Sequence, residues 1–246
     1  MDDLPENLFA NPVWNALQTK HRHFAVCAGD ACRYPSDVAP FAAVSEPSQK
    51  ALQQLHSLLR PGESVWLVGD HSAQSYAQSP ELSFVETLDC LQMMLPETIT
   101  PIDPPPEQTF EIIQLSKANA PEMVALTDIA FPGFFRQRTC EMGSYYGVRP
   151  DARSGGELIA MAGERLVLDG YPEISGVCTQ PAHRGKGLAS SLIWQLVRDH
   201  RRHGLVSWLH VGSENLRAIE LYSRMGFKKV REVTLNRISP RGEDGN

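Results

Sequence analysis

The segment from Glu173 to Ala189, EISGVCTQPAHRGKGLA, constrains this chain more than any other. Glu173–Thr179 has the composition of a short buried strand, with Ile174, Val177 and Cys178 apolar and the β-branched Thr179 at its end. Gln180–His183 contains a proline and reads as a turn. Arg184-Gly185-Lys186-Gly187 then opens an amphipathic helix. A strand, a glycine-rich turn and a helix start together make an anion site. The first-turn amides have no intrahelical acceptor, and the helix dipole adds partial positive charge at that end. The glycines let the backbone take turns forbidden to a β-carbon and come close to a ligand.

Charge agrees with this placement. The net charge of −6 is uneven: residues 1–106 hold 13 acids and 5 bases, residues 107–246 hold 16 acids and 18 bases. The second half therefore suits an anionic ligand better. No long Lys/Arg tract points to nucleic acid. Length and an apolar content of 42% suit one large or two modest globular domains. The start, MDDLPE, is acidic and lacks the apolar core of a signal peptide, and no run of 18 apolar residues predicts a membrane span. Cys27, Cys32, Cys90, Cys140 and Cys178 match no zinc spacing and are expected to be free thiols in a reducing compartment, the cytoplasm. No metal is expected.

Local patterns predict helices over Val13–His21 and after Ser45, where Ala51, Leu52, Leu55, Leu58 and Leu59 share a face. Strands are expected at His23–Ala28, Ser64–Gly69 and Leu82–Leu95. Five prolines between Pro96 and Glu107 suggest a semi-rigid linker, so domains of 1–106 and 107–246 are expected. In the second half a strand at Thr109–Leu115 precedes a helix reaching Ala130 and a second helical segment at Phe134–Tyr146. A hairpin of Glu157–Ala162 with Arg165–Leu168 comes next. The opening segment follows, then a helix closed by His203-Gly204, a strand at Leu205–Val211, a helix at Asn215–Met225 and a last strand at Phe227–Ile238.

That order, with Arg184-x-x-Gly187-x-Ala189 in the loop, resembles the GNAT superfamily of N-acetyltransferases and its (Gln/Arg)-x-x-Gly-x-(Gly/Ala) signature. A second block, Asn215-x-x-Ala218-x-x-x-Tyr222-x-x-x-Gly226-Phe227, is similar to another segment of that family. The resemblance covers residues 109–238. A divergent first half ahead of such a domain is similar to the arrangement of the glycine N-acyltransferase group. The implied fold is α/β (α+β): a mixed, mostly antiparallel sheet flanked by helices, preceded by a smaller α/β domain that is itself a degenerate half of the same type. The implied activity is acetyl transfer from acetyl-CoA directly to a primary amine of a small molecule, such as an amino acid, or of a peptide. The competing class is a non-catalytic acyl-CoA-binding module on the same fold. Acetyl-CoA and a small amine are the expected partners, for a monomer or homodimer.

The resemblance also assigns residues. The CoA pyrophosphate is expected on Arg184, Gly185, Lys186, Gly187, Leu188 and Ala189. The pantetheine arm is expected along Val177, Cys178 and Thr179, with Asn215 nearby. The sequence is not that of a Walker loop, since Lys186 is followed by glycine rather than Ser or Thr. Tyr222 matches the family's general acid, a phenol able to protonate a leaving thiolate. Glu173 stands where some members keep a catalytic carboxylate, and an apolar strand edge is expected to raise its pKa into the useful range. His210 is the rival base. Cys178 and Ser213 lack the supporting groups of a nucleophile. Phe134, Phe135, Arg136, Arg138, Met142, Tyr145 and Tyr146 are expected to shape the acceptor site, and their aromatic and guanidinium content suggests an acceptor bearing a carboxylate.

Overall fold

The computed structural model describes residues 6–69, 76, 79–100, 110–150 and 156–241. The first half contains helices α1 (Glu6–Ala10), α2 (Pro12–Gln18) and α3 (Gln49–Ser57), and strands β1 (Val26–Ala28), β2 (Ala31–Arg33), β3 (Phe41–Val44), β4 (Val65–Gly69) and β5 (Leu82–Met94). The second half contains β6 (Ile112–Leu115), α4 (Ala120–Asp128), β7 (Tyr145–Val148), β8 (Ala160–Leu168), β9 (Tyr171–Thr179), α5 (Leu188–Arg202), β10 (Trp208–Gly212), α6 (Leu216–Arg224) and β11 (Lys228–Pro240).

Helix starts follow capping chemistry. The Ser48 hydroxyl accepts from Ala51 N at 3.2 Å to open α3, whose Ala51, Leu52 and Leu55 are buried as their spacing requires. Asn119 and Pro121 flank the start of α4, and the Asn215 side chain accepts from Ala218 N at 3.2 Å to open α6. In α5, Leu188, Leu192, Ile193, Leu196 and Val197 turn inward, and His200, Arg201 and Arg202 complement the dipole in its last turn.

The eleven strands of the described residues join in one sheet, ordered β1-β2-β3-β4-β11-β5-β10-β9-β8-β7-β6. Among the described residues only β3 with β4 and β10 with β9 are parallel. The mixed, mostly antiparallel sheet flanked by helices is the expected fold class. The division expected near residue 106 is not a break in this sheet. Residues 101–109 lie outside the described part, but β5 of the first half is hydrogen-bonded between β10 and β11 of the second.

The sheet wraps around α2. That helix touches β3, third in the order, and β8, ninth. Six strand spacings in a flat sheet would span about 29 Å, whereas seven helical residues span about 10 Å. Phe9, Val13, Ala16 and Leu17 therefore pack on one side against Phe41, Trp66 and Val68 and on the other against Leu166, Leu168 and Trp208. The second face carries α5 and α6 on Met93, Ile174, Leu209 and Val211.

Three expectations are corrected. Phe134–Tyr146 is not a helix: it holds a single 3-10 turn at Thr139–Glu141 and then enters β7, because Thr139 turns its hydroxyl to Val38 O at 2.6 Å instead of extending a helix. Glu157–Leu168 is not a hairpin: β8 runs unbroken through Gly163-Glu164 and turns at Asp169-Gly170, where Gly170 has φ +81°. Cys27 and Cys32 are not free. Antiparallel pairing of β1 with β2 sets them opposite each other, and they form a disulfide, leaving Cys90, Cys140 and Cys178 as free thiols.

Phe9 joins the halves, its ring lying edge-on at 5.2 Å to both Tyr171 and Trp208. Phe9→Ala is expected to cost about 3–5 kcal/mol in urea unfolding, with fluorescence and circular dichroism falling together because both halves share one sheet. Separate transitions for the two probes would contradict a shared core.

Candidate functional site

The site lies where two parallel strands part. β9 and β10 are joined at one register pair, Glu173 with Trp208, and then diverge. The cause is visible in β9. Its pairing with β8 steps from Gly163–Ser175 to Met161–Cys178, so one extra residue is accommodated on β9. Gly176 sits there with φ +64°, a conformation that strongly favours glycine. A β-carbon on it would also press on Met161 Cε at 3.3 Å and Tyr145 Cε1 at 3.4 Å. The bulge bends β9 away, and among the described residues its edge toward β10 has no strand partner beyond Glu173.

A cavity of about 560 Å³ opens on this edge. Val177, Cys178 and Thr179 form one wall. Arg184, Gly185, Gly187, Leu188 and Ala189 form the end at the start of α5, and Asn215 and Tyr222 face them from the β10–α6 side. Gly185 and Gly187 have φ +80° and +76°, with open space around both, so conformation rather than crowding selects glycine. Gly187 caps α5 without a side-chain hydrogen bond, leaving the helix's first amides for another acceptor. Arg184 is anchored by its Nε to Thr179 O at 3.2 Å. Of the residues expected to hold the donor, only Lys186 is off the wall; it is exposed on the loop. Ile129, Ala130 and Phe131, just past α4, also line the cavity. Burial holds the Tyr222 phenol well above its ordinary pKa, so it remains a proton donor throughout the working range. Burial likewise raises the Cys178 thiol to about 12, which removes its nucleophilicity at neutral pH.

These features match known proteins. The family model for the acetyltransferase (GNAT) family matches residues 111–227. A solved acetyltransferase of the GNAT family from Novosphingobium aromaticivorans is 33% identical, with TM-score 0.82, over 95% of this chain and 98% of that one. This chain belongs to the GNAT family. Two curated N-acetyltransferases match shorter stretches: the uncharacterized YobR of Bacillus subtilis, 34% identical over 77 residues, and the N-alpha-acetyltransferase RimI of Mycobacterium tuberculosis, 33% identical over 93 residues. The matched stretch spans 31% of this chain and 31% of YobR, and 37% of this chain and 58% of RimI.

Within this GNAT chain, Glu173 differs from expectation. It is fully buried, and burial alone would raise its pKa. The Arg165 charge and the contact with His210 outweigh burial and hold the carboxyl at about 2. Arg165 donates to it from Nε at 3.0 Å and from the guanidinium at 2.6 Å, Leu166 N donates at 3.1 Å, and His210 Nδ1 lies at 2.7 Å. Arg165 also lies over the Phe41 ring, 4.8 Å from its centroid. Glu173 is thus a clamped anion, and its pKa is lowered rather than raised as expected. On the other side of His210, Nε2 is 3.0 Å from Gln92 Nε2, which also donates to Phe9 O at 3.1 Å. An amide nitrogen only donates, so His210 Nε2 accepts and its proton sits on Nδ1, facing Glu173.

The residues expected to shape the acceptor site are dispersed rather than gathered. Phe134 stacks on Trp66 at 5.3 Å. Phe135 lies edge-on to Tyr145, whose hydroxyl is buried without a partner. Arg136 buries its Nε without a partner, and its backbone N donates to Thr139 Oγ1 at 2.7 Å. Arg138 pairs with Glu141 and Asp37. Met142 is core, and its carbonyl lies 3.1 Å from His21 Nε2. The Tyr146 hydroxyl donates to Asp199 at 2.6 Å. Arg165, Gln92 and Gly176 were not singled out from the sequence. A glycine inside an apolar strand was the available signal for the bulge; the other two act through contacts made across the sheet.

Removing Arg165 leaves a buried charge unpaired. Arg165→Met is expected to cost about 3–5 kcal/mol in urea unfolding, with Arg165→Met/Glu173→Leu recovering part of it. The lowered Glu173 pKa also fixes a sign. Its stabilisation is present above about pH 4.5 and is lost as pH falls toward about 2. A single variant as stable as the wild type would contradict the clamp.

Proposed function

We propose that this chain transfers the acetyl group of acetyl-CoA directly to a primary amine. The observation carrying the proposal is one continuous cavity that runs from the unfilled amides of α5, along the open edge of β9, to Tyr222. Pyrophosphate on Gly185–Ala189, amide groups of the pantetheine arm on β9 and a thioester near Tyr222 would use each wall according to its chemistry. The amine nitrogen attacks the thioester carbonyl, the C–S bond breaks, and the departing thiolate takes the Tyr222 proton. The first half, residues 1–106, works as an integral part of this enzyme through β5.

The ammonium must first lose a proton. Glu173, at a pKa of about 2 and ion-paired, is a poor acceptor and acts as a positioning group. His210 is carried on β10, two residues past the pair that joins β10 to β9, with Nδ1–H held by Glu173. In this reading Nε2 takes the proton, directly or through water, as the Gln92 amide turns its oxygen to it; that oxygen is buried without a partner in the resting structure.

Incubation with acetyl-CoA and an amine panel, followed by free thiol, is expected to show turnover. Tyr222→Phe should lower kcat about 10- to 100-fold with KM for acetyl-CoA within about twofold. Because burial raises the Tyr222 pKa, the wild-type rate should show no alkaline loss through pH 9. His210→Phe should be most impaired near pH 7 and recover in part toward pH 9, where a larger fraction of the amine arrives neutral. Donor binding without turnover on any amine would favour a binding module, and an unchanged rate in Tyr222→Phe would remove it as the acid.

A further inference from the structure

The Tyr145 ring lies across the sheet. It leaves β7 and crosses β8 over Gly163, where a β-carbon would stand 2.1 Å from Cδ1 and 2.4 Å from Cγ and Cε1. It then reaches Gly176 on β9, where a β-carbon would stand 3.4 Å from Cε1. Glycines on two successive strands thus clear a channel that a side chain at Gly163 would close. The channel carries the hydroxyl from β7 toward the open edge of β9. Oη is buried there, with no hydrogen-bond partner among the described residues. An unpaired buried hydroxyl costs stability, and phenylalanine would fill the same channel without that cost.

We propose that the Tyr145 hydroxyl binds the reacting nitrogen of the acceptor amine, as a further catalytic residue. This rests on the acetyltransferase reading above and names the contact that directs the attack.

The face is the right one. Met161, Gly163 and Arg165 share one side of β8 by alternation. From that side Arg165 grips Glu173, which in turn holds His210. Ile174, the next residue, turns to the opposite face and packs in the cluster that contains Tyr222. The acid therefore meets the thioester from one face, and His210 and Tyr145 meet the amine on the other. The hydroxyl also lies close to the donor. Cys178 and Phe131 pack in the cluster that buries Tyr145, and both line the donor cavity. Phe135, edge-on to Tyr145 at 5.5 Å, stands on the same loop as Phe131. The amine displaces this edge to reach the hydroxyl.

The chemistry follows from the proton count. Burial holds the Tyr145 phenol well above its ordinary pKa, so it keeps its proton and its oxygen accepts. Once His210 has taken a proton, the neutral nitrogen holds two N–H groups and a lone pair. An N–H given to Tyr145 Oη fixes the rotation of the nitrogen and leaves the lone pair facing the thioester carbon.

Tyr145→Phe keeps the ring in its channel and removes only the oxygen. Rates are measured with acetyl-CoA and butylamine, glycine or an alanyl peptide with a free N-terminus. For the fastest acceptor kcat/KM should fall about tenfold, with KM for acetyl-CoA within about twofold of wild type. The midpoint of urea unfolding should stay the same or rise. An unchanged kcat/KM for the amine overturns the inference, and so does a lower midpoint, which would give the hydroxyl a structural partner. Neither result touches acetyl transfer itself. If no acceptor turns over, the acetyltransferase reading fails separately, and calorimetry of butylamine with the CoA-saturated protein decides. Binding weakened about tenfold by Tyr145→Phe supports the contact; equal binding, or none, overturns it.

Discussion

The structure depends on one buried carboxylate. Glu173 lies at the single register pair joining β9 to β10, and it is held by two contacts from Arg165, the Leu166 amide and His210. A charge removed from water this completely is tolerable only when paired and hydrogen-bonded. Those partners come from β8 and β10, so the ion pair pins three strands at the point where the sheet begins to open. Just beyond, Gly176 bends β9 away. One feature holds the strands together and the other parts them, and the donor cavity lies along the opening.

The same centre ties the two halves together. His210 receives Gln92 from β5, and Gln92 is tied to the Phe9 carbonyl at the end of α1. The orientation of a second-half imidazole is therefore set by two first-half groups. His21, whose pKa burial lowers to about 4, lies between the Tyr34 hydroxyl at 2.8 Å and the Met142 carbonyl, adding a further polar tie across the halves. Buried polar groups with matched partners specify one arrangement where apolar contacts alone would tolerate several.

What could be read from the sequence was what is local. The glycine loop, the helix after it and the Asn215–Phe227 block are contiguous stretches whose residue types follow from turn geometry and capping, and the structure sets them around one cavity. The face of α3 was legible from spacing alone. What could not be read was non-local. Strand order is decided by pairing across the chain, and no local pattern shows that β5 of the first half pairs with β10 and β11 of the second. A raised pKa was expected for Glu173 because its nearest sequence neighbours are apolar; Arg165 is eight residues away and His210 thirty-seven. The aromatics and arginines of residues 134–146 looked like one binding surface, yet they serve several separate contacts. Cys27 and Cys32 matched no ligand spacing, and only the β1–β2 register shows them to be opposite.

A crystal structure with an inert thioether analogue of acetyl-CoA tests the central claim most directly. The account predicts the pyrophosphate on the amides that begin α5, the pantetheine arm along the open edge of β9, and the sulfur within hydrogen-bonding reach of Tyr222 Oη, with the acyl group pointing into the gap between β9 and β10. An analogue bound elsewhere, or one whose sulfur lies away from both Tyr222 and that gap, would contradict it.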